Sequence, residues 1–194
     1  MNYLAHSLFS NADEFILVGQ YCGDFVRGSD LDHYPEGVRT GIRWHRRIDS
    51  FTDQHPANLR ARNYFTKPHR RFAGIITDVL YDHFLARNWH QFSDLPLEEH
   101  VAFVHAALQQ HVGVMPPQLQ RFSRIVVEQN ALMSYLQFES VEQVLQRISQ
   151  RSPRFIPLAS AGDPLIEHQH ALRACFDEFF PDLVAHMNAV IKLS

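Results

Sequence analysis

Apolar residues recur at three- and four-residue spacings along most of this chain, and strict alternation is nowhere sustained, so the pattern predicts helices throughout. Tyr3, Leu4, Leu8 and Phe9 mark a short helix within 1–10. A second, over 13–28, has Leu17, Val18, Tyr21 and Phe25 as its inner stripe, Asn11 or Asp13 as a cap, Asp24 beside Leu17 and Tyr21, and Gly28 at its end. The polar stretch 29–34 reads as a loop, and Pro35 suits the first position of a third helix over 35–53. Pro56 stops or restarts that helix, 57–65 is a short helical piece, and Lys67-Pro68 is a break. The longest helix is expected over 69–89, with Phe72, Ile76, Val79, Leu80 and Phe84 as its core face. Leu95-Pro96 opens a helix over 97–115, which Pro116-Pro117 closes. Segments 119–136, 141–149 and 166–191 complete the series, the last interrupted at Pro181, and 154–164 is the stretch expected to be irregular. The expected fold is an all-α, single-domain bundle of seven to nine helices over 1–194.

Two of these helices carry polar groups on their apolar sides. At about 100° per residue, Val38, Ile42, His45, Asp49 and Asp53 share one stripe, with Thr52 at its margin. An unpaired carboxylate is costly to bury, so such groups are hydrogen-bonded, ion-paired or metal-bound. His45 and Asp49, at i and i+4, can converge on one cation or on each other. In 69–89, His83 lies within the core face, and Asp78 and Asp82 sit one turn apart on the flank beside Ile75 and Leu85.

Adding His6 and Asp24 gives a cluster of eight candidates, each with an ordinary explanation of its own. A lone histidine on an apolar face is commonly a hydrogen-bonded core residue, Asp24 can be a local cap, Asp53 can satisfy backbone donors, and Asp82 can pair with Arg70 or Arg71. Taken together, imidazole and carboxylate donors from several helices suit Mn, Fe, Zn or Mg. Such an ion supplies hydroxide near neutral pH and polarises a phosphoryl oxygen. Arg46 and Arg47 flank His45 and are available to phosphate oxygens or to a partner. The chain has no G-x-S-x-G, P-loop, G-x-G-x-x-G or H-E-x-x-H.

With 194 residues, 45% hydrophobic and 20% charged, the chain can bury a sizeable core. It has neither the run of about 20 apolar residues that spans a bilayer nor the features of a signal peptide, so a cytoplasmic location away from membranes is the default. Cys22 and Cys175 have no C-x-x-C spacing and read as buried apolar residues. The net charge of −3 conceals an asymmetry: nine arginines and lysines against two acids give 39–71 a charge of +7 and leave −10 for the rest. That patch suggests an anionic partner, whether nucleic acid, a phosphate ester or an acidic protein; the alternative is a solvated face with counterions for local carboxylates. Nucleic acid is the weaker choice, because exposed aromatics are not interleaved with the basic residues.

MNYLAH at 1–6, GDFVRG at 23–28, HRRID at 45–49 followed by Thr52 and Asp53, and DVLYDHFLARNW at 78–89 together resemble the bacterial acyl carrier protein phosphodiesterase family. The likeness is dense through 1–90 and looser beyond. It implies hydrolysis of the phosphodiester between 4'-phosphopantetheine and a serine of holo-acyl carrier protein, a step tied to fatty acid biosynthesis. A divalent metal would assist, typically manganese, with Mg2+ and Fe2+ as the other ions admitted.

The family is regarded as divergent from HD-domain phosphohydrolases, so an HD-like fold is expected. Those enzymes use an adjacent His-Asp pair; here HRRID separates the two, and Asp82-His83 runs in reverse order. The resemblance carries over His6, Asp24, His45, Asp49, Asp78, Asp82 and His83. Asp24, His45, Asp49 and Asp78 are expected to handle metal and water, His6 and Asp82 to add ligands, and His83 or His6 to protonate the departing serine oxygen. Acyl carrier proteins are acidic, so Arg27, Arg39, Arg43, Arg46, Arg47, Arg60, Arg62 and Lys67 are the docking candidates. Two other readings stand beside this one: an HD-like nucleotide phosphohydrolase, and a non-catalytic helical module that binds an acidic protein.

Overall fold

A computed structural model describes residues 2–193, and among them it contains helices and no strand. The α-helices are α1 Tyr3–Leu8, α2 Glu14–Cys22, α3 Glu36–Gln54, α4 Pro56–Asn63, α5 Ala73–Arg87, α6 Leu97–Gln110, α7 Pro117–Glu128, α8 Ala131–Ser134, α9 Glu139–Ser149, α10 Gly162–Glu167 and α11 Gln169–Lys192. None is long and apolar enough to cross a membrane. Contacts gather the chain into two compact units, each drawn from distant segments: 3–49 with 88–134, and residue 2 with 50–87 and 135–193.

In the first unit α2 packs on α1 and α6, and α6 on α7 and α8. The Asp13 carboxylate caps α2 by accepting the Ile16 N–H at 2.9 Å. The crossing of α2 with α3 depends on glycine. A Cβ at Gly41 would overlap the Ile16 carbonyl and stand 2.7 Å from the Gly19 Cα, and one at Gly19 would overlap the Val38 carbonyl. The two backbones therefore touch, which fixes the register of α3 against α2.

The second unit is built on α5. Eleven of its fifteen residues are buried, as befits a helix covered on several sides. Helices α4, α9 and α11 pack on it, and Tyr81, Phe84, Phe176, Phe179 and Phe180 interlock in its core.

Several boundaries differ from the sequence expectation. The second helix ends at Cys22, and the predicted helix over 69–89 begins as a 3-10 turn, Arg70–Phe72, becoming α5 at Ala73. Segment 119–136 divides at Asn130, whose positive φ of 46° cannot continue a right-handed helix. Segment 154–164 is not irregular but holds a 3-10 stretch, Pro153–Ser160, and the start of α10. Pro181 does not interrupt α11, contrary to expectation. The proline faces solvent, and burial of Phe176, Phe179 and Phe180 before it and Leu183 and Met187 after it offsets the lost backbone hydrogen bond.

Candidate metal centre

The first unit brings together His6 of α1, His45 and Asp49 of α3, and Asp24 from the turn after α2. Ligand atoms of His6, His45 and Asp49 all lie within 4.8 Å of one another. His45 Nε2 is 3.0 Å from Asp49 Oδ2 and 3.4 Å from Asp24 Oδ1, and His6 Nε2 is 3.3 Å from Asp49 Oδ1. Both imidazoles are buried, whereas the Asp49 and Asp24 side chains are 39% and 52% exposed. The cluster is thus walled by imidazole and open on its carboxylate side, an arrangement that leaves room for water or substrate.

Local sequence explains the convergence. Four residues after the Gly41 crossing, α3 presents His45; four residues after Gly19, the end of α2 presents Gly23. A Cβ at position 23 would stand 2.6 Å from His45 Nδ1 and overlap Cγ and Cδ2 of the ring, so glycine there is the seat of the imidazole. Arg46 secures the following turn by donating to the Val26 carbonyl at 3.1 Å. The GDFVRG and HRRID motifs are two sides of one contact.

Electrostatics separate the two histidines. Burial, reinforced by the neighbouring His45, lowers His6 to about 4 against the pull of Asp49. Burial also disfavours a charged His45, but Asp24 and Asp49 beside it outweigh that effect and raise it to about 9. Burial would raise both carboxyls, yet the imidazoles hold Asp49 well below the usual carboxylate range and lower Asp24, where the Tyr3 side chain adds a hydrogen bond.

The donor set fits a divalent cation. His6 Nε2 is buried with no hydrogen bond of ordinary geometry, facing the Asp49 carboxylate 3.3 Å away, and a buried polar atom left unpaired is costly. Two imidazoles with carboxylates are the ligands that Mn, Fe or Zn take.

The chain belongs to the acyl carrier protein phosphodiesterase family. The family model described as acyl carrier protein phosphodiesterase matches residues 1–183. A protein of that name from Salmonella dublin is 37% identical over 95% of this chain and 96% of its own length. One from Salmonella agona is 36% identical over the same shares, as is one from Salmonella newport. No solved structure matches the chain.

The remaining predicted site residues belong to the second unit. Asp82 is fully buried in α5 rather than on its flank, and Asp78 is partly exposed. His83 donates Nδ1–H to the Tyr135 carbonyl at 2.7 Å and lines a cavity of about 490 Å³ with Arg87, Phe138 and Arg173. Asp53, expected on the inner stripe of the third helix, is instead 68% exposed and pairs with Arg62 at 2.5 Å. Steps of four residues drift by about 40° each on a helix, which carries position 53 off the buried face; Ile48 and Thr52 fill it instead.

Among the docking candidates, Arg39 pairs with Glu36 and Asp32, Arg43 with Glu36, and Arg60 with Glu178. Arg27, Arg47 and Lys67 are exposed. Sequence reasoning missed Tyr3, Gln20 and Gly23. Gln20 was detectable as a polar residue on the inner stripe of α2, between Leu17 and Asp24.

Proposed function

We propose that this chain hydrolyses the phosphodiester joining 4'-phosphopantetheine to a serine of holo-acyl carrier protein, releasing apo-protein and 4'-phosphopantetheine, with a divalent metal at the His6, His45 and Asp49 cluster. The observation that carries this reading is the buried pair of imidazoles facing the part-exposed Asp49 in a member of this family. His6, His45 and Asp49 would hold the ion, and manganese is our assignment, Mg2+ and Fe2+ being compatible with the same donors. A bound divalent cation lowers the pKa of water towards neutrality and polarises a phosphoryl oxygen.

Asp24, half exposed and 3.4 Å from His45 Nε2, suits the role of accepting a proton from the attacking water. Tyr3, hydrogen-bonded to Asp24, orients that carboxylate. In the reaction the water oxygen bonds to phosphorus, the phosphorus–oxygen bond to serine breaks, and the serine oxygen takes up a proton. For docking, Arg27, Arg47 and Lys67 offer exposed charge to an acidic carrier, while Arg39, Arg43, Arg60 and Arg62 would exchange their present carboxylates for the carrier's.

The test is mass spectrometry of holo-acyl carrier protein incubated with the enzyme, with and without Mn2+ and with chelator. Conversion to the apo form that needs the ion supports the reading, and an unchanged carrier mass with Mn2+ present would remove it. Asp78→Asn and His83→Gln in the same assay decide whether α5 contributes.

A further inference from the structure

The first unit contains a second partner for the cluster that no motif announced. Gln20 lies in the last turn of α2 and is fully buried, with its Oε1 3.3 Å from His6 Nδ1. An amide oxygen can only accept, so this contact requires the hydrogen of the neutral imidazole to be on Nδ1. The lone pair is then on Nε2, the buried atom 3.3 Å from Asp49 Oδ1. Nε2 then faces an acceptor at the mouth of the site, a juxtaposition that a bound cation would relieve.

We infer that Gln20 is a positioning residue that fixes His6 in its Nδ1–H tautomer and presents Nε2 to the metal. The inference rests on the metal-centre reading above and extends it to the ligand's outer partner. Histidine ligands commonly donate their second ring N–H to a carbonyl or carboxylate in this way, and loss of that partner weakens metal binding about 10–100-fold.

A purely structural role explains Gln20 poorly. Its own Nε2 is buried with no hydrogen-bond partner, which a methionine of similar size would avoid. As core filling, glutamine is the worse choice; as the acceptor for His6, it has a function methionine cannot supply. Along the chain, Gln20 and Asp24 are one turn apart, so the end of α2 serves both imidazoles: Gln20 meets His6, and Asp24 meets His45.

The experiment measures Mn2+ binding by calorimetry for the metal-free full chain, Gln20→Met and Gln20→Glu, alongside melting temperatures and the His6 tautomer from 15N NMR of the metal-free protein. Expected are Nδ1–H on His6, a 10–100-fold weaker Kd for Gln20→Met with unchanged or higher metal-free melting, and a Kd for Gln20→Glu within a few-fold of the parent or tighter. A Gln20→Met protein that binds Mn2+ as tightly as the parent, or a His6 hydrogen on Nε2, overturns the inference. If Gln20→Met fails to fold, Gln20→Glu and the parent's tautomer decide. A parent chain that takes up no Mn2+ overturns the metal-centre reading itself, an outcome distinct from tight binding in both parent and variant.

Discussion

The imidazoles of His6 and His45 lie face to face, ring centroids 3.9 Å apart and planes 14° from parallel. Two stacked rings cannot both carry charge in a buried site, and their basicities divide accordingly, His6 at about 4 and His45 at about 9. Positive charge is thus concentrated where Asp24 and Asp49 meet one ring, and a divalent ion would answer the same carboxylates.

Removing the charge of Asp49 while keeping its shape tests that site directly. Asp49→Asn is expected to lower ion uptake and carrier turnover by more than about 100-fold, beyond the range for losing an outer partner. Calorimetry with Mn2+ and the mass assay check it, and ion binding at parental strength would exclude Asp49 as a ligand.

Two glycines make room for the site. At Gly41 an added methyl meets the backbone of Ile16, which cannot swing aside, so Gly41→Ala is expected to cost about 1–3 kcal/mol in denaturant unfolding. At Gly23 the methyl meets the base of the buried His45 ring, which is stacked on His6 and paired with Asp24 and Asp49. Gly23→Ala should therefore lose most turnover and also unfold at a lower denaturant concentration than the parent, and turnover at the parental level would refute the seat.

His100 predicts a pH effect. It is buried, Ser7 Oγ lies 2.8 Å from its Nε2, and burial lowers it to about 4. Because Ser7 already donates to the Leu4 carbonyl, its oxygen accepts from His100, which is neutral when folded. The unfolded chain binds a proton below about 6.5 and the folded chain only near 4, so this contribution to stability is intact above pH 6.5 and lost as pH falls towards 4, by up to about 3 kcal/mol. His100→Gln should flatten the dependence of unfolding free energy on pH over that window; identical slopes would refute the assignment.

Carrier docking should respond to salt. Raising ionic strength to about 0.5 M shortens the screening length to a few ångströms, so KM for the carrier is expected to rise several-fold with kcat little changed. Arg47→Glu should raise KM in the same way without altering the Kd for Mn2+, and an unaffected KM would take Arg47 out of the docking face.

Spacing alone made the helical character and the proximity of His45 and Asp49 legible, because four residues are about one turn wherever the helix ends up. The exposure of Asp53 was missed, although angular drift along α3 carries the signal. The course of α11 through Pro181 was not, since it depends on aromatic burial supplied by other helices.

By itself the sequence determined the all-helical class, the family resemblance and the chemical types gathered at the centre, each being local or compositional information. Tertiary structure alone decided which of those groups meet. His6, Asp24 and His45 come from separate segments, and their convergence depends on the backbone contact between Gly19 and Gly41, a steric fact with no periodic signature. The same contact turns Gln20 from an odd polar residue on an apolar stripe into the acceptor for His6, because hydrogen bonding is a matter of distance and direction, and neither is written in residue order.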